Sequence, residues 1–483
     1  MYAALGYILL IASGTIAVPL VVIPFYPNES VYSIHFAAPA TLLAAAGLIL
    51  VLRTRKRRPA RQLKEREGAI VVTVGWIIAN LVSAWPFIGI AGLNFSQAFF
   101  EAMSGWTTTG LSMVDVEHVP HILLFFRSAI QLAGGAGLAI IMMAAFSLPV
   151  GAGIYRAEGR NYQLVPHVTR SAKIVITLYL GYTLVGTLVL AALGMDFFDA
   201  INHAFCAVST GGFSTKSASI GYWNSAKIEA AILVLMILGN LNFLTAYILF
   251  TGKIRTFLRN AEMKIFAIFS VLGISLLFVL FVRTAYSSLG KEIRVSVFEA
   301  ISALTTTGFS TVSYAQWNGP AILTIIVLMT IGGGMCSTAG GLKQYRVYIM
   351  LKAVVWEIQR MILPKRAVVV HRAFVGDEES VVESRQIMEV GVFVFLYLAT
   401  YATGTLILGI SGYSIREAAF EFASALGTVG LSVGVISTGT PLPALWTMTA
   451  GMFLGRLEFF VILVTITQIF KRSNSRSSYE TLG

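Results

Sequence analysis

One phrase of thirteen residues occurs four times in this chain, and it limits the possible folds more than any other feature. Two copies, residues 100–112 and 298–310, both contain Thr-Thr-Thr-Gly. A third copy covers residues 420–432, and the most diverged copy covers residues 202–214. In every copy a glycine is followed by a large apolar residue and a serine, and these glycines are Gly110, Gly212, Gly308 and Gly430. Self-similarity of this kind predicts a structural unit that has been duplicated.

The composition places these repeats in a membrane. Hydrophobic residues make up 56% of the chain, charged residues only 12%, and the mean hydropathy is +0.78. The net charge of +12 does not indicate nucleic-acid binding, because the basic residues fall in short clusters between long apolar runs. We expect these clusters, and with them both chain termini, on the cytoplasmic side of the bilayer. The clusters cover residues 53–66, 156–173, 253–264, 343–385 and 471–476.

Two apolar runs precede four units of one plan, each with a span, a short interrupted apolar segment and a second span. We expect an all-α integral membrane protein with ten spans and four re-entrant pore helices, arranged as four span–pore-loop–span repeats around one pseudo-fourfold pore. The predicted spans are residues 3–25, 33–52, 69–92, 123–148, 174–193, 228–250, 265–281, 321–351, 387–410 and 445–470. The predicted divisions are residues 1–67 for an N-terminal hairpin and basic loop, 68–152, 153–255 and 256–372 for repeats 1 to 3, and 373–483 for repeat 4 with the tail.

The end of each repeated phrase has the chemistry of a cation site. A helix that stops within a membrane leaves carbonyls that only a cavity or an ion can satisfy. Alkali cations are held by oxygens, which a Thr-Thr-Thr-Gly strand supplies from backbone and hydroxyl groups, and four such ends around one axis would form a cation filter. The candidate ligands, which we call the filter segments, are Thr107, Thr108, Thr109 and Gly110; Ser209, Thr210, Gly211 and Gly212; Thr305, Thr306, Thr307 and Gly308; and Gly427, Thr428, Val429 and Gly430.

An ionisable residue lies nine positions before each filter glycine. It is Glu101, Glu299 or Glu421 in repeats 1, 3 and 4, and His203 in repeat 2. These side chains could coordinate the cation directly, or they could brace the filter from behind through hydrogen bonds. Bracing is the favoured interpretation, because the residue falls within the short helix and not at its open end.

The second span of repeat 3 contains five glycines within residues 332–341, too many for a stable helix. Because non-helical backbone at membrane depth must line a cavity or be buried, this glycine-rich loop is predicted to be a mobile gate below the filter. Close packing between helices is the alternative. Arg456, midway along the last span, is expected to act in gating or pore electrostatics, with an ion pair to Glu458 as the alternative. The candidate gate residues are Gly332, Gly333, Gly334, Ser337, Thr338, Gly340, Gly341, Lys343 and Arg456.

Three smaller features have simpler interpretations. Cys206 and Cys336 form no metal-ligand spacing and are expected to be buried free thiols. Gln131 and the glycines at 134–137 are interpreted as close helix packing. Aromatic side chains near span ends are expected to anchor the protein at the membrane interface, and these are Trp85, Trp223, Trp317 and Trp446.

These motifs resemble those of the Trk/Ktr/HKT superfamily of potassium transporters. The resemblance rests on the four filter phrases, on Gly-Gly-Gly-Met-Cys-Ser-Thr-Ala-Gly-Gly-Leu-Lys and on Gly-Arg-Leu-Glu, and it covers residue 69 to the C-terminus. The two leading spans make the chain similar to the TrkH-type subunits. The resemblance implies a K⁺-uptake pore, a homodimer, a glycine-rich intramembrane gate, and a separate cytosolic nucleotide-binding regulatory ring of the TrkA type. Repeat 4 departs from the pattern, because its filter segment offers one hydroxyl instead of three.

The sequence therefore predicts K⁺ uptake through a channel-like pore in the bacterial cytoplasmic membrane. We expect a preference for K⁺ and Rb⁺ over Na⁺ and Li⁺. We expect no enzymatic activity and no nucleotide site on this chain, because no nucleophile–base pair, metal-ligand cluster or phosphate-binding loop is visible. The alternative is a secondary symporter that couples K⁺ or another solute to H⁺ or Na⁺. It predicts inverted repeats and midplane ionisable residues, whereas here the units share one orientation and Arg456 is the only clear charge within a span.

Overall fold

The computed structural model describes residues 1–55, 65–137, 168–282, 288–364, 372–375 and 378–468. Several predictions fall on other residues. The basic residues within 56–64, 156–160, 365–366 and 471–476, which we expect to be cytoplasmic, lie outside the described ranges. Residues 138–148 and 469–470 of two expected spans also lie outside them. The secondary structure of the described residues is almost entirely helical, as the long apolar runs predict.

Two helices form a hairpin ahead of the repeats. Helix α1 (Tyr2–Ala17) continues into a 3₁₀ helix (Val18–Val22), and α2 (Ile34–Arg55) follows a second 3₁₀ helix (Pro27–Ser33). Where the two helices cross, a Cβ on Gly6 would lie 2.7 Å from the carbonyl oxygen of Gly47, and the reverse contact is equally short. The hairpin is therefore packed backbone against backbone, which only small residues permit.

Each repeat contains a long first helix, a short buried helix, and a second helix or broken helix pair. Repeat 1 has α3 (Glu65–Ala91), α4 (Phe95–Trp106) and α5 (His121–Ala136). Repeat 2 has α6 (Val168–Ala192), α7 (Phe197–Val208), a 3₁₀ turn (Ser219–Tyr222), α8 (Ala226–Asn240) and α9 (Phe243–Phe250), and α10 (Ile254–Arg259) leads to repeat 3.

The same plan continues in the second half of the chain. Repeat 3 has α11 (Ala261–Leu277) with a π-helical end (Phe278–Val282), α12 (Leu289–Leu304), α13 (Gly319–Ile331) and α14 (Gln344–Ile362). Strands β1 (Arg372–Val375) and β2 (Glu378–Val381) form an antiparallel hairpin, which the sequence did not indicate. Repeat 4 has α15 (Ser384–Ile410), α16 (Ile415–Leu426), α17 (Leu442–Leu457) and α18 (Phe459–Gln468).

The chain is a multi-pass membrane protein. Six described helical stretches are long and apolar enough to cross a bilayer. They are Tyr2–Val22, Pro27–Thr54, Arg66–Ala91, Lys173–Ala192, Ala261–Leu280 and Ser384–Ile410. Two bent pairs, α8 with α9 and α17 with α18, raise the number to eight if each pair is one span.

The two bent pairs correct the prediction of continuous helices at 228–250 and 445–470. Between α8 and α9 the chain turns by 115°. The backbone of Asn242 is not helical there, and its side chain caps α9 by accepting the N–H of Leu244 at 3.0 Å. Between α17 and α18 the chain turns by 101° at Glu458, whose φ of 62° lies outside the helical region. The interruption of the span at 321–351, by contrast, was expected from its glycines.

The four short helices, α4, α7, α12 and α16, lie in the interior of the molecule. The phenylalanine that opens the repeated phrase is fully buried in three of them. Asn94 and Gln97 cap α4 reciprocally, Ser414 and Glu417 do the same for α16, and Asp196 caps α7. These caps set where the helices begin, and therefore which residues reach their inner ends.

The prediction of an interface anchor is wrong for one of the four tryptophans. Trp317 is 1% exposed, and its ring packs against that of Tyr314 with centroids 4.9 Å apart. Trp223 is partly buried, and its ring lies against that of His203. Trp85 and Trp446 are 48% and 42% exposed, as a position at the membrane interface requires.

Candidate ion filter

Each short helix ends in the same way, and a filter segment begins at that end. At the end of α4, the N–H of Thr108 donates to the carbonyl of Gly105 at 3.1 Å, and the N–H of Thr109 donates to that of Ser104 at 2.9 Å. This pair of bonds is the Schellman ending of a helix, which places one residue in the left-handed region. The same pair is made by Thr210 and Gly211, by Thr306 and Thr307, and by Thr428 and Val429.

The left-handed residue is a threonine in all four segments. The φ values are 57°, 50°, 53° and 49° at Thr108, Thr210, Thr306 and Thr428. A β-branched residue rarely adopts this conformation, which costs about 1–3 kcal/mol and persists only where the surroundings impose it. The sequence led us to expect helix-end carbonyls that only a cavity or an ion can satisfy. These hydrogen bonds correct that expectation, because N–H groups of the filter segments satisfy carbonyls near the helix ends. The oxygens offered to an ion therefore come from the filter segments themselves.

The four filter glycines bring the segments together in a closed order. Their φ values, 92°, 73°, 82° and 96° in chain order, favour glycine. A Cβ on Gly110 would lie 2.3 Å from the carbonyl oxygen of Gly211, and a Cβ on Gly212 would lie 2.2 Å from that of Thr307. The same contact joins Gly308 to Val429 at 1.9 Å and Gly430 to Thr109 at 2.1 Å. Each segment thus approaches the next, and the fourth approaches the first, at distances that only glycine allows.

All four filter glycines line one cavity of about 590 Å³. Most of its other walls come from residues that follow the filter segments, so it lies where the chain leaves the ring. Half of the residues in these other walls carry a hydroxyl group, and the serine of each repeated phrase is among them. These serines are Ser112, Ser214, Ser310 and Ser432. A polar chamber of this kind can receive a hydrated ion before the ion enters the ring.

The charged groups around this chamber are held by neighbours. Lys216 lines the cavity, and its ammonium lies 3.5 Å from the carboxylate of Asp199. In the loops outside the spans, Glu117 accepts both the N–H and the hydroxyl of Ser217 at 3.0 Å. These two bonds lower the pKa of Glu117 below its usual range.

The ionisable residues of the repeated phrase brace the chain after each filter segment, as predicted. Glu101 accepts the Ser112 hydroxyl at 2.7 Å and the N–H of Met113 at 3.0 Å. Glu421 accepts the corresponding groups of Ser432 and Val433 at 2.7 and 2.8 Å. Glu299 accepts the N–H and hydroxyl of Thr311, and in repeat 2 the Nε2 of His203 lies 2.9 Å from the hydroxyl of Ser214. All four side chains are almost fully buried.

A buried arginine links repeats 1 and 2, and the sequence did not single it out. Arg127 on α5 is 2% exposed, so Arg456 is not the only charge within the helices of the repeats. Its Nε donates to Glu101 at 3.3 Å, its Nη2 to the Ser112 hydroxyl at 2.8 Å, and its Nη1 to the Ser214 carbonyl at 3.0 Å. A lone arginine in the apolar run 122–133 was the available signal, because such a charge needs a buried partner.

The glycine-rich loop contacts three of the four filter segments. The N–H of Gly340 donates to the hydroxyl of Thr306 at 2.7 Å, and the hydroxyl of Thr210 donates to that of Thr338 at 3.1 Å. A Cβ on Gly340 would lie 2.2 Å from the carbonyl oxygen of Gly427. The loop is therefore packed directly against the ring, on the side of the left-handed threonines. Cys336 within it and Cys206 on α7 are both buried, and they form no disulfide bond with each other, as predicted.

The break between α8 and α9 holds the other side of this loop. The Thr338 hydroxyl donates to the carbonyl of Gly239 at 2.9 Å, and the N–H of Gly334 donates to that of Asn240 at 3.2 Å. The carboxylate of Glu262, in the first turn of α11, accepts the N–H of Met335 at 2.7 Å. Repeats 2 and 3 together thus fix the loop in its present position.

The two remaining candidate gate residues also contact the loop. Arg456 donates to the carbonyl of Thr338 at 2.7 Å, and its other nitrogen donates to the carbonyls of residues 134 and 135 on α5. Glu458 forms its ion pair with Arg346, at 2.7 Å. The ammonium of Lys343 donates to the carbonyl of Ala339. Arg456 therefore connects the glycine-rich loop to repeat 1.

Comparison with known proteins agrees with this arrangement. The family model of the TrkH cation transport proteins matches residues 35–477. The Trk system potassium uptake protein TrkH of Escherichia coli K12 is 31% identical, over 97% of this chain and 98% of that protein. An uncharacterised cation transporter of Methanocaldococcus jannaschii is also 31% identical, over 96% and 94%. The crystal structure of the potassium transporter TrkH from Vibrio parahaemolyticus covers 96% of this chain and 98% of its own, with 26% identity and a TM-score of 0.83. The chain belongs to the TrkH family of cation transport proteins.

Proposed function

We propose that this chain takes up K⁺ across the cytoplasmic membrane of a bacterium, through a pore at the centre of the four filter segments. The observation that carries the proposal is the closed order of contacts among the four filter glycines. Such a ring can surround a dehydrated K⁺ with backbone oxygens from four sides, and it replaces the hydration shell of the smaller Na⁺ less well. The names of the relatives, which include a potassium uptake protein and a potassium transporter, support K⁺ as the transported ion.

The proposed pore has the architecture that the sequence predicts. Ten spans and four re-entrant pore helices are divided among a hairpin at residues 1–67 and repeats at 68–152, 153–255, 256–372 and 373–483. The helices α4, α7, α12 and α16 are the proposed pore helices. Each is too short to cross the bilayer and ends at a filter segment. Both termini are cytoplasmic in this proposal, since the basic clusters flank the spans on one side.

The glycine-rich loop is the proposed gate. Its contacts with Thr210, Thr306 and Gly427 support a position across the inner end of the ring, where an ion that has passed the filter would continue. The hydrogen bonds to Arg456, Gly239 and Glu262 stabilise this closed position. Opening then requires the loop to leave these partners, which its glycines make easier because they permit many backbone conformations.

Regulation is proposed to come from other polypeptide chains. The relatives are named as parts of a Trk system, which supports a separate cytosolic partner. We propose a nucleotide-binding regulatory ring of the TrkA type as that partner, and a homodimer as the membrane assembly. The nucleotide would bind to the ring and not to this chain.

Uptake of ⁸⁶Rb⁺ by proteoliposomes that contain the purified chain tests the function. A K⁺ diffusion potential, negative inside, is imposed without any H⁺ or Na⁺ gradient. We expect uptake under these conditions, and equal Na⁺ on both sides of the membrane should not inhibit it. Uptake that appears only when an H⁺ or Na⁺ gradient is added would contradict a channel-like pore and favour the symporter.

A further inference from the structure

One side chain from a neighbouring repeat is hydrogen-bonded to the backbone of a filter segment. Gln131 on α5 of repeat 1 is 0% exposed. Its Nε2 donates to the carbonyl of Gly211 at 2.5 Å, and its Oε1 accepts the N–H of Phe213 at 3.1 Å. The orientation of this amide is determined by its partners, because a carbonyl needs a donor and an N–H needs an acceptor. Gln131 therefore clamps the second filter segment at two successive peptide groups.

Two glycines bring α5 close enough for this contact. A Cβ on Gly134 would lie 2.0 Å from the carbonyl oxygen of Trp106, the last residue of α4. A Cβ on Gly135 would lie 2.8 Å from the Cβ of Ser209, where the second filter segment begins. The expected close packing of residues 134–137 thus has a consequence beyond packing. It holds Gln131, one turn earlier on the same helix, against the filter of repeat 2.

The same close contact identifies the equivalent positions in two other repeats. A Cβ on Gly239 would lie 2.5 Å from the carbonyl oxygen of Val208, and a Cβ on Gly455 would lie 2.0 Å from that of Leu426. Val208 and Leu426 are the last residues of α7 and α16, as Trp106 is of α4. The residue three positions earlier is Gln131 in repeat 1, but it is Met236 in repeat 2 and Met452 in repeat 4.

This comparison shows that the amide is a departure from the repeated plan. Met236 and Met452 are both 0% exposed, so the three side chains occupy similar buried places. A thioether has no hydrogen-bond donor, and only the glutamine can donate to a filter carbonyl. The four filter segments are therefore not chemically equivalent, because Gly211 has a carbonyl that is already engaged by a protein donor.

We propose that Gln131 is a positioning residue that determines the K⁺ selectivity of the filter, a role that rests on the function proposed above. The amide N–H holds the Gly211 carbonyl beside Gly110, at the contact that joins the first two segments. Without this donor the carbonyl is free to leave its fixed place and to follow a smaller ion. Na⁺ gains from such a movement more than K⁺, because K⁺ already fits the fixed ring.

Two variants remove the amide donor and keep an uncharged side chain of similar volume. Gln131→Leu leaves a branched apolar side chain. Gln131→Met removes both bonds and copies the residue found in repeats 2 and 4. Ser128→Ala is the control, because Ser128 lies on the same helix and bonds to Asn202 in α7 at 2.6 Å, outside the filter segments.

The readout is the reversal potential in planar bilayers with K⁺ on one side and Na⁺ on the other. We expect both Gln131 variants to lower the ratio of K⁺ to Na⁺ permeability by about fivefold, which corresponds to about 1 kcal/mol. Ser128→Ala should keep the wild-type ratio. The proposal is overturned if both Gln131 variants keep that ratio, since the donor is then not what matters. A wild-type protein without K⁺ current would be a different failure, because it would contradict the proposed function and not the role of Gln131.

Discussion

Replacing Gly110 by serine should reduce the preference of the pore for K⁺ over Na⁺. The first Cβ of any side chain at this position would lie 2.3 Å from the carbonyl oxygen of Gly211. Atoms of this kind essentially never approach closer than 3.0 Å, so the two must separate by about 0.7 Å, the difference between those distances. The φ of 92° at Gly110 is also unfavourable for serine, which adds a second reason for the backbone to move.

The size of the effect follows from this displacement. The ring discriminates between two cations of similar charge by how well its oxygens replace their hydration shells. A shift of one carbonyl by a substantial fraction of a bond length leaves K⁺ with a poorer shell on one of four sides. We expect a loss of about 1–3 kcal/mol in discrimination, which is roughly a five- to 150-fold fall in the permeability ratio.

Reversal potentials with K⁺ and Na⁺ on opposite sides of a planar bilayer measure this ratio directly. Gly412→Ser is a matched control, because Gly412 has a φ of 106° but no atom within 4 Å of the added Cβ. It carries the same kind of backbone strain without the collision and should leave the reversal potential unchanged. A wild-type reversal potential in Gly110→Ser would refute the reasoning, since selectivity would then arise outside this ring.

Three further predictions concern the proposed gate and the polar chamber that the filter glycines line. Deletions within residues 332–341 should raise Rb⁺ flux in the absence of any regulatory partner, and unchanged flux in a well-folded deletion would remove the loop as a gate. Arg456→Gln should raise the open probability about tenfold or more, because it loses a charged hydrogen bond to Thr338 worth about 1.5–3 kcal/mol; single-channel recordings that match wild type would make Arg456 a purely structural residue. Asp199→Asn should raise the KM for Rb⁺, because it releases the Lys216 ammonium into the chamber. Adding Lys216→Gln should restore the KM, and failure of that rescue would show that Asp199 acts on structure alone.

The four filter glycines and the braces behind them could be predicted because each occurs in a repeated pattern. Gly110 and its three equivalents stand at the same place in every phrase, and an ionisable residue lies nine positions before each of them. Repetition turns a weak local signal into a strong one. The interruption at residues 332–341 could be predicted for a different reason, because five glycines fall within that stretch. The helix ends at Ile331 and resumes at Gln344, which agrees with the low helix propensity of the glycines between them.

What could not be predicted depends on contacts between distant parts of the chain. Thr108 takes the left-handed position where a helix ending normally has glycine, and only tertiary packing imposes that conformation on a β-branched residue. Gln131 lies 80 residues from the carbonyl that it binds, so no local pattern connects the two. Trp317 sits near the start of a helix, as an interface anchor would, yet it packs inward against Tyr314. Sequence spacing does not distinguish these two environments.

The position of a bound ion tests the central claim most directly. Crystals of the protein grown or soaked in Rb⁺ would locate the ion by its anomalous scattering. The account predicts a peak at the centre of the ring, within coordination distance of backbone oxygens from all four filter segments. A peak bound instead by ionisable side chains within the helices, with the ring empty, would contradict a pore formed by the filter segments.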